Sequence, residues 1–267
     1  MSERYVPRLV GVVHLPPLPG SPLGALPTRA CAEYGKAAAK VLADCGFDAI
    51  IVENFGDAPF YSSEVPPITV AAMTACVLAV REAAPGLAVG VNVLRNDAEA
   101  ALSVAVATEA SFVRVNVLTG ARVTDQGIIE GNAASLLRLR RALSADSIGI
   151  WADVDVKHSA PLGAARPLAQ EVEDTTHRAL ASAILVTGSG TGKGVDLEKL
   201  ALVRAASGSV PVYVASGSTL EQLPSLAEHA TGVIVGSALR EGGRAGGPVD
   251  PALTQAFASA FRRAFSV

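Results

Sequence analysis

The chain has 267 residues, half of them hydrophobic, 18% charged and only 4% aromatic, with a formal net charge of −3. That balance is ample material for a large core, and with no basic stretch interleaved with aromatics it speaks against nucleic acid as a main partner. It leaves abundant Val, Leu, Ile and Ala for helices packed on a buried parallel sheet, whose strands read as continuous aliphatic runs.

The opening MSERYVPRLVGVVHL carries charge but no apolar stretch followed by a cleavage site. Longer apolar runs are broken by Gly, Pro or charge before about 18 residues, so no membrane span is expected. Cys31, Cys45 and Cys76 fall in Ala-rich, helix-like segments without metal-ligand spacing. They read as reduced core thiols, and the expected location is cytoplasmic.

Short aliphatic runs recur along the chain at Leu9–Leu15, Ala49–Glu53, Ala88–Val93, Phe112–Val115, Ile148–Val156, Ala183–Val186, Val210–Val214 and Gly232–Val235. Helical patterns lie between them, and Asp97, Asn132 and Ser218 stand where a side chain caps a first turn. Strands alternating with helices imply parallel pairing through crossover units. Eight units with no spare strand predict closure into a single-domain (β/α)₈ (TIM) barrel over residues 1–267, with an open doubly wound sheet as the competitor. Val117–Gly131 and Leu239–Pro248 read as long loops. The first of them, with Arg122, Asp125 and Gln126, reads equally as a closing lid or as an ordinary surface loop.

The last third carries three Gly- and hydroxyl-rich turns. They are Thr187-Gly188-Ser189-Gly190-Thr191-Gly192, Ser216-Gly217-Ser218 and Gly236-Ser237-Ala238-Leu239, after the sixth, seventh and eighth strands. Any one of them is an ordinary tight turn. Together, at the strands where barrels often hold phosphate, they predict an anion site at Thr187, Gly188, Ser189, Gly190, Ser216, Gly217, Gly236 and Ser237. The spacing through Lys193 is not that of a Walker loop, and Lys193 itself reads as a solvated loop lysine.

Polar residues also collect at strand ends, where a buried sheet would ordinarily be apolar. On the fifth strand Asp153, Asp155 and Lys157 fall two apart and are expected to share the inward face. Glu53 and Asn54 end the second strand, Asn92 and Arg95 the third, Arg114 and Asn116 the fourth, and His14 the first, while His158 follows Lys157. A satisfied charge network accounts for the deeper members, Asp153 and Arg114. At the rim, Glu53, Asp155 and Lys157 are the better candidates for chemistry.

Two chemistries fit. Carboxylates can protonate a leaving group and steady a developing cation at a sugar's anomeric carbon. Alternatively, Lys157 can form a Schiff base with a carbonyl substrate. No HxH or HExxH spacing supports a metal site, no cofactor is demanded, and a Mg²⁺ requirement stays open. No cysteine lies near a strand end to act as a nucleophile.

The stretches GVVHLPPLPGSP, VENFGDAPF, VNVLRND, FVRVN, ADVDVKHSAPL, VTGSGTG and VGSALR span nearly the whole chain. With them the sequence resembles the BtpA family. The resemblance implies a barrel of the ribulose-phosphate-binding type and, for some members, nucleotide-directed activity, under a family name that records an assembly phenotype. The chain is more faintly similar to orotidine-phosphate-type decarboxylases, through Asp155-Val156-Lys157. Ala160 stands where that motif has its second Asp, and the motif falls on the fifth strand, so decarboxylation ranks low.

The leading expectation is therefore an enzyme, a hydrolase or transferase, acting at the anomeric carbon of a ribosyl 5-phosphate. Glu53, Asp153 and Asp155 are its expected acid–base or cation-stabilising groups, with His14, Asn54, Asn92, Arg95, Arg114, Asn116 and His158 around the substrate. The alternatives are a Schiff-base aldolase or isomerase using Lys157, and a non-enzymatic assembly factor. The expected partner is a phosphorylated small molecule, with homo-oligomerisation plausible.

Overall fold

The computed structural model describes residues 6–188 and 194–266. In chain order the elements begin with β1 (Leu9–His14), α1 (Thr28–Asp44), β2 (Ala49–Glu53), α2 (Pro67–Ala83), β3 (Ala88–Asn92), α3 (Ala98–Ala107) and β4 (Phe112–Val115). Then come β5 (Ala121–Thr124), β6 (Gly127–Glu130), α4 (Ala133–Ala142), β7 (Gly149–Val154), β8 (Ser159–Pro161) and α5 (Leu168–Glu173). The chain finishes with β9 (Ala183–Thr187), α6 (Leu197–Ala206), β10 (Val212–Ser216), α7 (Leu223–Ala227), β11 (Gly232–Val235) and α8 (Pro251–Ala264). Eight parallel strands close on themselves in the order β1-β11-β10-β9-β7-β4-β3-β2, the expected barrel.

Alternation along the strands sorts the side chains into two cores. Outward residues such as Val13, Ile50, Val52, Val91, Val113, Ile184, Val214 and Val233 pack beneath the helices. Inward residues fill the barrel floor: Val10, Val12, Ala49, Ile51, Leu185 and Ile234, around a stack of Phe112, Trp151 and Tyr213 with ring centroids 4.0 and 4.5 Å apart. Three of the chain's few aromatics thus plug one end, and the inward positions nearer the strands' C-terminal ends are polar.

Space for that stack is made by Gly90 on β3, where a Cβ atom would lie 2.2 Å from the Phe112 ring. Gly90→Ala is expected to cost about 1–3 kcal/mol, the range for overpacking a filled core. Urea unfolding measures this, and a loss under 0.5 kcal/mol in order of magnitude would show that the aromatic stack yields easily.

Three expectations about loops and caps are corrected. Val117–Gly131 is not a plain loop: β5 and β6 form a hairpin, and β8 pairs antiparallel with β5 to complete a three-stranded sheet beside the barrel. The turn is set by Gly127 at φ +99° and by the Thr124 hydroxyl, which donates to the Gly127 carbonyl. Asp97 caps α3 as expected, accepting from Ala100 N at 2.9 Å. Asn132 precedes α4 but donates instead to the Asn96 carbonyl at 3.3 Å. Ser218 caps no helix, because α7 begins only at Leu223. Pro224 lacks an N–H and is tolerated only in a first turn, which delays the helix start.

Cys31, Cys45 and Cys76 are buried and unpaired, and burial pushes the Cys76 thiol up to about 12. Among the described residues no helix is long and apolar enough to cross a membrane.

Candidate functional site

The polar ends of the inward-facing strand positions open into a cavity of about 220 Å³ at the C-terminal mouth of the barrel. At its base lies a closed ionic unit. Arg114 reaches both oxygens of Asp153, Nε to Oδ2 at 3.1 Å and Nη2 to Oδ1 at 3.0 Å, while its Nη1 donates to Glu53 Oε1 at 3.0 Å. Asn92 Nδ2 also donates to Glu53 Oε1, at 3.0 Å, and Asn116 Nδ2 to Asp153 Oδ2, at 2.8 Å. All five side chains are buried. Burial alone would raise the Glu53 carboxyl, but Arg114, His14 and Asn92 together hold it below the usual carboxylate range. The same two carboxylates raise the Arg114 guanidinium above its ordinary value despite its burial.

Asp153 and Arg114 thus form the satisfied network expected of them, and Asp153 does not line the cavity. Glu53 differs. Its Oε1 is held by two donors, while Oε2 faces the His14 ring, with Nε2 at 3.8 Å. His14 Nδ1 accepts from the Gly246 N–H at 3.2 Å, which leaves the ring proton on Nε2, toward Glu53. Burial drives the His14 pKa down to about 3, so the imidazole is neutral at physiological pH. The Asn116 amide has one possible orientation, because a carboxylate only accepts. Its Oδ1 is a buried acceptor with no partner among the described residues, and Asn116 lines the cavity.

The mouth also carries two cations. Arg95 is 8% exposed and donates to the Lys157 carbonyl at 2.9 Å, with no ion pair among the described residues. The Lys157 ammonium donates to Ser216 Oγ at 3.0 Å and likewise has no carboxylate partner among the described residues. Burial and then Arg114 lower its pKa. The Lys157 backbone is pinned by its N–H to Thr187 Oγ1 at 3.0 Å. Ser216, Gly217, Ser218, Gly236 and Ser237 line the cavity beside these cations, and the buried Ser218 hydroxyl has no partner among the described residues. Gly236 keeps its place because a Cβ there would lie 2.9 Å from His14. His158 also lines the mouth; burial lowers its pKa.

Of the expected phosphate residues, Thr187 is committed to the Lys157 backbone and Gly188 N donates to the Ser216 carbonyl at 3.3 Å. Neither lines the cavity. Ser189 and Gly190 lie outside the described residues, as does Lys193.

Two placements are corrected. Asp155 does not share a face with Asp153 and Lys157. β7 ends at Val154, and Asp155 takes a left-handed φ of +44°, which breaks the two-residue alternation. Its carboxylate pairs outside the mouth with Arg122 Nη2 at 2.6 Å and Lys199 Nζ at 2.8 Å, and these partners lower its pKa against the effect of half-burial. Its N–H donates to Glu171 Oε1 at 2.9 Å, so Asp155 locks strand, hairpin and helices together. Asn54 is likewise a brace. It donates to Asp57 Oδ2 at 3.0 Å, accepts from Leu94 N at 2.7 Å, and does not line the mouth.

Phe55, Phe60 and Leu94, which form the apolar wall, and the buried Arg240 were not among the residues expected from the sequence. The Arg240 guanidinium is buried and donates to the carbonyls of Val12 and Gly247 at 2.9 and 3.1 Å, binding the last loop across β1. The aromatic pair inside VENFGDAPF was the available signal for the wall. Nothing in VGSALR marks its arginine as buried. Among the described residues no group of three or more His, Cys, Asp or Glu side chains is placed to hold a metal ion.

Comparison with known proteins agrees with this architecture. The native KDPGal structure superposes with a TM-score of 0.60 at 14% identity, covering 100% of this chain and 98% of that one. N-(5'-phosphoribosyl)anthranilate isomerase from Pyrococcus furiosus does so with 0.58 at 14% identity, over 96% and 99%. These likenesses carry the barrel fold. In sequence, the photosystem I biogenesis protein BtpA of Synechocystis is 46% identical over 254 residues, 94% of this chain and 87% of that protein. The model of the BtpA family matches residues 6–263, and the chain therefore belongs to the BtpA family.

Proposed function

We propose that the protein is an enzyme acting at the anomeric carbon of a small phosphorylated sugar or nucleotide, bound across the barrel mouth. The observation that carries this reading is the pairing of two cations lacking carboxylate partners among the described residues, Arg95 and Lys157, with a rim of Ser216, Gly217, Ser218, Gly236 and Ser237. Burying an uncompensated cation costs several kcal/mol, and an anionic ligand offsets that cost. Backbone N–H groups of Gly-rich turns and serine hydroxyls supply the matching donors. One of the solved neighbours is, by its description, an isomerase of a phosphoribosyl compound, which accords with this reading.

With the phosphate on that rim, Glu53 Oε2 faces the body of the sugar. The bond from the anomeric carbon to its substituent breaks with the electron pair leaving on the substituent. The ionised Glu53 steadies the cation left behind and then takes a proton from the attacking water. Asn116 Oδ1 accepts from a sugar hydroxyl, and the neutral His14 holds Glu53 in place. Incubation with nucleoside 5'-monophosphates, followed by chromatography for released base and ribose 5-phosphate, tests the reaction. Glu53→Gln is expected to lower turnover about 10²–10⁴-fold with phosphate affinity retained.

Lys157, with no carboxylate partner among the described residues and a lowered pKa, favours one second reading, a Schiff base with the open-chain aldehyde of the sugar. Lys157→Arg separates the two, because it keeps the charge and removes the primary amine. The anomeric reading expects Lys157→Arg to retain turnover within about tenfold and Lys157→Met to lose roughly 100-fold. A borohydride-trapped adduct of ribose 5-phosphate on the wild type, absent from Lys157→Arg, would establish the imine instead.

A further inference from the structure

A second cavity, of about 320 Å³, adjoins the mouth and shares Phe60 and Leu94 with it as a common wall. We infer that this cavity is the subsite for an aromatic substituent carried by the reacting carbon, so that the substrate spans both spaces. The inference rests on the phosphate-directed reading above and extends it to the group that leaves.

Three observations lead there. First, the mouth alone, at about 220 Å³, is smaller than the roughly 300–1,000 Å³ usual for small-molecule sites, so a phosphorylated sugar leaves little room for a further group. Second, the direction is fixed by the barrel. In the closed order of strands β10 and β3 stand four places apart, on opposite sides. Ser216–Ser218 follow β10 and Leu94 follows β3, so a ligand anchored at the serines points its far end at the shared wall. Glu53 on β2 and Asn92 on β3 lie on that same side, beneath the junction.

Third, the lining selects a flat apolar group. Pro22, Pro59, Phe60, Tyr61, Val65 and Leu94 provide ring and aliphatic faces. Three of the polar side chains there are occupied: Asn54 binds Asp57 and Leu94, Asp57 Oδ1 accepts from Leu18 N at 2.7 Å, and the Ser21 hydroxyl donates to the Leu18 carbonyl at 2.7 Å. A stacked heteroaromatic ring suits such walls. The chemistry agrees, since Asp153 is sealed under Arg114 and Asp155 lies outside the mouth. Among the described residues the mouth is lined by no carboxyl group besides Glu53, and Asp57 in the second cavity accepts at both oxygens, from Leu18 N and Asn54 Nδ2, so no second acid is presented to a poor leaving group. A ring that stabilises its own negative charge departs without one.

Binding of ribose 5-phosphate, AMP, CMP and adenosine, measured by calorimetry on the full chain and on Val65→Phe, tests the subsite. The wild type is expected to bind AMP and CMP at least about tenfold more tightly than ribose 5-phosphate. Val65→Phe fills the cavity and is expected to erase that advantage while leaving ribose 5-phosphate affinity unchanged. Tyr61→Ala, at an exposed position, removes one ring wall without adding bulk; it is expected to weaken AMP and CMP but not ribose 5-phosphate, and covers the case in which Val65→Phe fails to fold. Equal affinity for ribose 5-phosphate and both nucleotides in the wild type, or an advantage that survives in every folded variant, overturns the subsite. Should adenosine bind, sensitively to either variant, while no phosphorylated compound gains from its phosphate, the aromatic subsite stands and the phosphate reading fails. If nothing binds at millimolar concentration, both fall.

Discussion

Arg114→Met is expected to destabilise the fold by about 3–5 kcal/mol at neutral pH, the cost of removing one partner from a buried ion cluster. Among the described residues the guanidinium is the sole bridge between two buried carboxylates, binding Asp153 through two nitrogens and Glu53 through a third. Methionine fills much of the same volume but leaves both carboxylates charged, close together and cut off from water. The pH dependence identifies the cause. In the wild type Arg114 is the largest favourable influence holding the Glu53 pKa below its ordinary value, so the Glu53 contribution to stability is present above about pH 4.3 and fades as pH falls through the lower folded value. Without Arg114 the desolvation of Glu53 prevails and its folded pKa rises above the unfolded one. The variant then gains stability on protonation, and its deficit relative to wild type is expected to shrink as pH is lowered from 7 to 5. Urea unfolding at the two pH values measures this. A deficit under about 1 kcal/mol, or one that grows with acid, would mean that the cluster is solvated and that the proposed rigid floor beneath the substrate does not exist.

The barrel itself was legible because its signal is periodic and redundant. All eight aliphatic runs become barrel strands, and Phe112–Val115 and Gly232–Val235 match residue for residue. The alternation that carries His14, Glu53, Asn92, Arg114 and Asn116 inward is the same alternation that builds the floor, so these side chains could be placed together before any coordinates. That alternation ends where the backbone leaves the strand. At Asp155 a single left-handed residue reverses the expected direction, and a short polar side chain tolerates that conformation without announcing it in sequence. Lys157 reaches the mouth all the same, because its own N–H and C=O are pinned by Thr187 and Arg95, contacts between residues 30 and 62 positions apart.

The same limit applies to Asn54 and to the hairpin. Asn54 sits one residue past a correctly placed strand end, and only its partners, Asp57 and Leu94, show it to be a brace between loops. The hairpin Ala121–Glu130 has the alternation of a strand pair, but its third strand, Ser159–Pro161, lies far along the chain, and pairing at that separation leaves no local pattern to read.

His14 supplies the second large expected effect. Its pKa falls from 6.5 to about 3, chiefly through burial, with the attraction of Glu53 offsetting only part of that. The folded state therefore holds the imidazole neutral while the unfolded chain binds a proton below about pH 6.5. Between these values the unfolded state carries more protons, so stability rises with pH and is lost as pH falls. The whole interval corresponds to something on the order of 4–5 kcal/mol, of which the upper part, from pH 6.5 to 5, precedes the titration of ordinary carboxylates. His14→Gln keeps an acceptor for the Gly246 N–H and removes the titrating ring. Its unfolding free energy is expected to be nearly flat across that window, where the wild type slopes by roughly 1–1.4 kcal/mol per pH unit. Proton NMR of the wild type at pH 5 is expected to show the neutral ring with its proton on Nε2. An unchanged slope in His14→Gln, or a His14 resonance that titrates near 6.5, would mean that water reaches the ring. The carboxylate beside it would then be solvated too, and Glu53 would lose the dry surroundings in which a charge at the anomeric carbon is stabilised most strongly.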